Sequence, residues 1–590
     1  ALFLAVTPVF VADSRNNTVD NFLVMVLLFA CWVLSIAAEK GRLKYLTWSM
    51  ALVGIGFNVK MLQAYMIIPA VYITYLLTTA ASFKKRILHL AAGTVVLVAV
   101  SLSWALIVDA VPAGSRPYVD SSTNNTEMEL IVGHNGTERL NFGTSTDGRG
   151  GGGFGGGFGG GMQFPGQRGN RNGSGQNQGF SGGGQGGFGM GMPGGGAAPM
   201  GFGGSLQGSF GAQTPAGITR LFSRNILSDQ IVWFIPLAVL GFIAAAIREK
   251  LLFRMNTRKK QVLTLLFMWF LPEFIYFSFN NGLFHSYYLT MLAPPIAGLA
   301  GIGVAVMWQF YKEGGWKAWF LPISLMANGA MDLLMISYFT DYSSTIDILR
   351  TLVIILCFTA SIVLAVLNLT RKLTTCESSE GIKSDRTINV KRALLSLALA
   401  GVIVTPFAGS AAALTTSVNS SMPAAGLELM SNSSGQGQRM NNNFPGNGQE
   451  GSNSAMTDFL LKNKTAKQKY LLVVFNSNSA SNIIINTGEA VMSIGGFMGN
   501  VDAISLDEFK QLVKNGEVRY VMAGGMGGAG RGSNSAIMSW VEQNGTLVSY
   551  GENNSGNSSS STGNQRGSFN RGGASGQLYD LINLTDTPLK

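Results

Sequence analysis

A polytopic α-helical membrane protein with a small extracytoplasmic α/β domain is what the sequence predicts, on three observations. Long apolar runs recur through the first 413 residues. Charged residues make up only 12% of the 590-residue chain, against 47% hydrophobic ones, where a soluble protein carries about 25% charge. Beyond residue 455 the pattern changes to short apolar strands alternating with amphipathic helices.

The runs approach or exceed the roughly 18 to 20 residues that cross a hydrocarbon core as helix. Spans are predicted near residues 1–12, 19–38, 44–58, 62–80, 87–109, 228–247, 261–279, 285–309, 317–339, 348–370 and 392–413, about eleven in all. The net charge of +11 sits in short stretches between these runs. Examples are Lys40, Arg42 and Lys44; Lys84, Lys85 and Arg86; Arg254, Arg258, Lys259 and Lys260; and Arg371, Lys372, Lys391 and Arg392. Cations gathered this way mark cytoplasmic loops, so the basic balance orients helices and nucleic acid is not an expected partner. With those loops inside, segments 13–18, 59–61, 110–227, 280–284, 340–347 and everything after 414 face outward; the orientation hinges on the short run at 44–58.

Cys31 and Cys357 lie in apolar spans and Cys376 in a basic loop, so no disulfide framework is expected. Ala1 to Val11 reads as the end of a helix already under way, and N-terminal spans are expected to precede it.

Residues 1–413 form the membrane domain, which includes an external Gly-rich loop at 141–212. That loop has no apolar periodicity to offset the entropy of ordering. A Ser-, Asn- and Gly-rich linker at 414–455 leads to an α/β domain at 456–590 with a low-complexity insert near 551–575. Its strand candidates are Tyr470 to Phe475, Val491 to Ile494 and Val518 to Met522. The helix at Ser505 to Lys514 opens with a capping box, Ser505 followed three residues later by Glu508.

The segment from Ala12 to Asn21 places Asp13, Arg15 and Asp20 beside apolar spans at an outward turn. Ionised groups at the edge of hydrocarbon pair with one another or line a wet cavity. The same residues also fit a solvated loop in which Asp20 starts the next helix. Lys60 lies at an outward turn, where the positive-inside rule disfavours it. An ammonium there suits a lipid-linked phosphate, and equally fits a side chain snorkelling to water. The next external segment opens with Arg116 and brings Asn124, Asn125, Glu129 and Asn135; amides and a carboxylate are typical sugar-hydroxyl partners, and any polar loop also contains such groups. His285 has no second His or Cys at ligand spacing, so no metal site is read here. Gly525 to Gly530 fits the dinucleotide pattern but lies in a glycine-rich stretch on the outer side, and nucleotide binding is not expected.

Taken together, Arg15-Asn16-Asn17 to Asp20, Lys60-Met61-Leu62-Gln63, Asn124-Asn125 with Glu129, His134-Asn135-Gly136 and Phe284-His285-Ser286-Tyr287-Tyr288 resemble a known family. So does the stretch from Tyr470 through Gly495-Gly496-Phe497 to Val521. The family is that of the protein-mannosyltransferase and aminoarabinose-transferase membrane glycosyltransferases (family 39-like) of GT-C fold, in its Gram-positive branch with an extra C-terminal domain. The resemblance implies transfer of a hexose or pentose from a polyprenyl-phosphate donor to an extracytoplasmic acceptor, which is a cell-envelope polymer, a lipid or a protein. It makes Asp20 the catalytic acidic residue near the sugar, with the main catalytic acids in a loop preceding Ala1. Lys60, Arg15 and Arg116 hold the donor phosphate. Asn16, Asn17, Gln63, Tyr65, Asn124, Asn125, Glu129, Asn135, His285, Tyr287 and Tyr288 surround the sugar or acceptor. No cofactor is specified, with a divalent metal left open. The rival readings are a polytopic transporter, set aside because the polar clusters fall at outer helix ends and no internal repeat is found, and a wall-polymer-binding membrane scaffold.

Overall fold

The computed structural model describes residues 1–116, 118–120, 122, 124–137, 139–140, 214–252, 254–282, 284–340, 343–374, 383–416, 423–430, 450–496, 503–523, 533–548 and 577–584. The Gly-rich stretch 141–212, most of the linker, Gly525 to Gly530 and the insert near 551–575 lie outside these residues.

The membrane part runs through α1 (Leu2–Ala5), α2 (Pro8–Ser14), α3 (Asp20–Lys40), α4 (Leu43–Val59), α5 (Met61–Tyr65), α6 (Ile68–Leu77), α7 (Phe83–Ser101), α8 (Ser103–Asp109) and α9 (Glu127–Val132). It continues through α10 (Ser228–Ile231), α11 (Ile235–Glu249), α12 (Arg258–Phe279), α13 (Ala293–Glu313), α14 (Phe320–Ser337), α15 (Ser344–Leu352), α16 (Ala360–Thr374) and α17 (Lys383–Thr415). Among the described residues, 7 helices are long and apolar enough to cross a membrane, and the protein is a multi-pass membrane protein.

The other expected spans are shorter or broken, each for a local reason. The 44–58 run is a 17-residue helix, α4. The 62–80 run divides into α5 and α6, with Pro69 in the first turn of α6, where a missing N–H is tolerated. The 87–109 run bends by 40° between α7 and α8. The first run divides at Thr7, with Pro8 opening α2.

Two buried apolar clusters hold the bundle. One joins α3, α4, α6 and α7 with part of α12; the other joins α11 to α17. α11 and α13 approach each other closely at a pair of glycines. A Cβ on Gly303 would lie 2.4 Å from the Gly241 Cα, so only glycine on both helices permits this crossing.

Among the described residues, the C-terminal part holds a 5-stranded sheet of order β2-β1-β3-β5-β4. Its strands are β1 (Leu472–Val474), β2 (Val491–Ser493), β3 (Tyr520–Ala523), β4 (Thr546–Val548) and β5 (Gln577–Asp580). β1 pairs in parallel with β2 and β3, while β5 pairs antiparallel with β3 and β4. All three residues of β1 are buried, as expected of a parallel strand covered on both faces. Helices Glu450–Lys462, Ser477–Thr487, Leu506–Lys514 and Ser533–Asn544 supply the cover. The Ser505 capping box forms with both of its hydrogen bonds. β4 and β5 were not among the expected strands. Arg519 ties β3 to β5 through a two-pronged contact with Asp580 at 2.8 to 3.2 Å.

The exit of β2 meets the membrane part. Gly496 has φ +69°, and a Cβ there would lie 2.9 Å from the Asp120 Oδ1.

Candidate active site

Lys60 interrupts the helix between α4 and α5 with extended backbone, φ −156° and ψ 99°. The break turns its side chain across to the first residue of α3. Lys60 Nζ donates to Asp20 Oδ1 at 2.7 Å and to Oδ2 at 2.8 Å. Asp20 is 1% exposed and the Lys60 side chain 19%, so the carboxylate lies inside and the ammonium reaches the mouth. Asp20 also sits in the first turn of α3, where the helix dipole favours a negative charge.

Aromatic rings close the other side of the ammonium. Lys60 Nζ lies 3.8 Å from the Tyr288 ring centroid and 4.9 Å from that of Tyr287, close enough for cation–π attraction. Those rings meet edge to face, and His285 stacks on Tyr287. A second cation joins them: Arg139 Nη1 donates to the Tyr288 hydroxyl at 2.6 Å, with His134 Nε2 3.3 Å from Arg139 Nη2. The Arg139 backbone is held in turn, its carbonyl accepting from Asn280 Nδ2 at 2.8 Å and from the Tyr276 hydroxyl at 3.2 Å.

A second carboxyl lies at the end of α2. Asp13 is buried and accepts from the Thr18 hydroxyl through Oδ1, while its Oδ2 has no hydrogen-bond partner among the described residues. Burial, and then the charge of Asp20, push the Asp13 pKa up to about 7. Asn21 fastens this corner, donating to the Phe10 carbonyl at 2.8 Å and accepting from Thr290 at 2.6 Å.

The other expected residues divide by neighbourhood. Asn135 Nδ2 reaches Met61 Sδ at 3.3 Å, beside Lys60. Gln63 is buried three residues beyond Lys60, and Tyr65 packs its ring on Phe57. Arg116 is occupied elsewhere, donating to the carbonyls of Asp109, Val111 and Asn125. Asn125 receives the Val119 N–H, and Glu129 receives the Asn124 N–H; this group shapes the loop. Arg15 donates to the carbonyls of Ala413 and Thr416 at the end of α17. Asn16 caps the Asn17 N–H. Arg15 and Arg116 are thus spent on backbone carbonyls, away from Lys60. Among the described residues no group of three or more His, Cys, Asp or Glu side chains could hold a metal ion.

Residues 1–104, which carry Asp20 and Lys60, match the family described as "Dolichyl-phosphate-mannose-protein mannosyltransferase". Residues 456–544 match the one described as "Putative mannosyltransferase YkcB-like, C-terminal". Over 582 residues, covering 92% of this chain and 76% of the relative, the chain is 36% identical to "Putative mannosyltransferase YkcB" of Bacillus subtilis (strain 168). The chain belongs to the YkcB-type mannosyltransferase family. A second family member from the same organism, "Putative mannosyltransferase YycA", is 33% identical over 604 residues, covering 99% of this chain and 83% of the relative. No solved structure matches the chain. Membership makes this protein a membrane glycosyltransferase of GT-C type.

Arg139 of this candidate site is not among the expected residues, and Asn280, Asn21 and Asp13 carry no expected role of their own, although Asp13 is one of the two carboxylates singled out in the 12–21 segment. Arg139 carried a readable signal, since it is a cation in an outward-assigned segment, the same anomaly that picked out Lys60. Polar groups are not confined to helix ends, because Glu273 of α12 and Asp332 of α14 are fully buried within membrane-crossing helices. Two lone carboxyls in long apolar windows leave hydropathy almost unchanged, so they did not register.

Proposed function

We propose that this glycosyltransferase moves a sugar from a polyprenyl-phosphate donor to an extracytoplasmic acceptor at the Asp20–Lys60–Tyr288–Arg139 cluster. The observation that carries the reading is the convergence of two cations on one aromatic ring: Lys60 over the Tyr288 face and Arg139 on its hydroxyl. An anionic headgroup at the mouth meets both. As the bond between sugar and phosphate breaks, charge grows on the departing phosphate oxygen, and fixed cations in a water-poor site stabilise it. Asp20 holds Lys60 in place from the buried side and stands beside the sugar. Asp13 adds a carboxyl whose pKa of about 7 suits a group that takes the acceptor's hydroxyl proton near neutral pH.

The relatives' names make mannose the first sugar to test. The acceptor is a hydroxyl on an envelope polymer, a lipid or a protein. In this reading the site opens outside the cytoplasm, residues 414–455 link the two parts, and the 456–590 domain lies on the same side. The approach of Gly496 to Asp120 supports that placement, and a role for the domain in covering the site or presenting the acceptor.

The test is transfer from synthetic polyprenyl-phosphate mannose by the full-length protein in liposomes. Lys60→Ala and Asp20→Asn are expected to lower kcat by roughly 10² or more, the scale of losing one charge-stabilising group. Undiminished turnover in both variants would remove the cluster from the chemistry.

A further inference from the structure

One face of α12 runs from the candidate site into the bundle. Asn280, just past its end, and Tyr276 hold the Arg139 carbonyl at the mouth. Glu273 lies three residues before Tyr276, on the same helical face and about 4.5 Å deeper along the axis. Trp269, a further turn in, donates its indole N–H to Glu273 Oε1 at 2.9 Å. Glu273 is fully buried, and its Oε2 has no hydrogen-bond partner among the described residues.

A second side chain is in the same condition. Gln63 is 6% exposed, one helical turn from Lys60 on α5, and neither end of its amide has a partner among the described residues. Its neighbour Ala64 shares with Leu23 and Leu27 of α3 the contact around Gly56. Trp269 belongs to the same apolar cluster as Leu23, Leu27 and Ala64. Both side chains therefore stand on helices that share one apolar cluster with α3, Gln63 one turn from Lys60 and Glu273 one turn below Tyr276.

Buried polar atoms are nearly always paired, and leaving one unmade is expensive, more so in a membrane. Two such groups on one apolar cluster, on the elements that carry Lys60 and hold Arg139, call for a ligand that offers hydroxyls. A carboxyl oxygen accepts from a hydroxyl, and an amide both donates and accepts. Among apolar and aromatic walls this is the composition of a polyol pocket.

We infer that Glu273 and Gln63 form a hydroxyl-binding subsite for the sugar ring of the donor, with Glu273 Oε2 as the deciding acceptor. The inference rests on the reading that Lys60 and Arg139 hold a sugar-bearing lipid phosphate. Phosphate is held at the mouth and the ring is read below it, so the two can be separated by experiment.

The experiment is equilibrium binding, without turnover, of polyprenyl-phosphate mannose and of sugar-free polyprenyl phosphate to the full-length protein in nanodiscs. Wild type is expected to prefer the sugar-bearing lipid by up to about tenfold, the scale of one net hydrogen bond. Glu273→Leu and Gln63→Leu should bind the two lipids alike while keeping wild-type affinity for the sugar-free one, which a collapsed fold would not keep. Glu273→Gln retains the acceptor for Trp269 and changes only the orphan oxygen, so its preference should fall while its thermal midpoint holds. A preference that survives in the Leu variants, an equal loss of affinity for both lipids, or no preference in wild type would each overturn the subsite. Transfer activity is a separate readout. A wild-type protein that shows the preference but transfers nothing would refute the proposed reaction and leave the subsite standing.

Discussion

The ion pair at the mouth gives the most quantitative prediction. Lys60 Nζ contacts both oxygens of Asp20 at 2.7 and 2.8 Å, and Asp20 is 1% exposed while the Lys60 side chain is 19%. Removing the two partners singly should therefore have unequal effects. Lys60→Met strands a carboxylate with no route to water, at a cost of about 3–5 kcal/mol. Asp20→Asn strands an ammonium that can turn outward, so only the interaction is lost, about 1–3 kcal/mol. The double variant holds two neutral groups and should be more stable than Lys60→Met alone, with a coupling on the order of 2 kcal/mol. The assay is reversible unfolding in mixed micelles by SDS titration, run as a double-mutant cycle. Additivity within about 0.5 kcal/mol, or a larger loss from Asp20→Asn than from Lys60→Met, would refute the reasoning.

Three further outcomes follow from other sites. The Asp13 pKa is raised in the folded protein from 3.8 to about 7, so the folded form keeps a proton that the unfolded chain releases. Its contribution is complete at pH 3.8 and below and is lost as pH rises to about 7, at no more than about 1.4 kcal/mol per unit; subtracting the pH–stability curve of Asp13→Asn should expose this slope, and a flat difference rejects it. Asp332 is fully buried with neither carboxyl oxygen partnered among the described residues, so Asp332→Leu should stabilise by on the order of 1–3 kcal/mol, and a lowered thermal midpoint in detergent would show the carboxyl to be satisfied. Ser505→Ala removes the acceptor for the Glu508 N–H and should cost about 1 kcal/mol, read as faster proteolysis within the C-terminal domain of the full-length protein; an unchanged rate would mean the cap is not limiting.

Hydropathy made the membrane architecture legible, because a run such as Asp20–Lys40 has a composition that only a bilayer or a large core accommodates. The capping box at Ser505 was equally readable, since both partners lie within one helical turn. Lys60 stood out by violating a charge rule. What it pairs with was not written locally: Asp20 lies 40 residues away, and no Gly or Pro at position 60 announces the break that aims the side chain across the bundle. β5 is only four residues long and follows a Ser-, Gly- and Asn-rich stretch, so its strand character comes from pairing with β3 on one side and β4 on the other rather than from its own pattern. Glu273 and Asp332 are the instructive omissions. A single carboxyl barely dents an averaged hydropathy window, yet the bilayer makes it the most informative residue in its span.

The fit of Gly496 against Asp120 couples two parts of the chain that share no long stretch of sequence. Asp120 belongs to the same segment as Asn135, which touches Met61 next to Lys60. Any side chain introduced at 496 must displace the Asp120 carboxylate. A residue larger than glycine at the exit of β2 would therefore act first on the segment whose later residue, Asn135, touches the neighbour of the ammonium-bearing side chain.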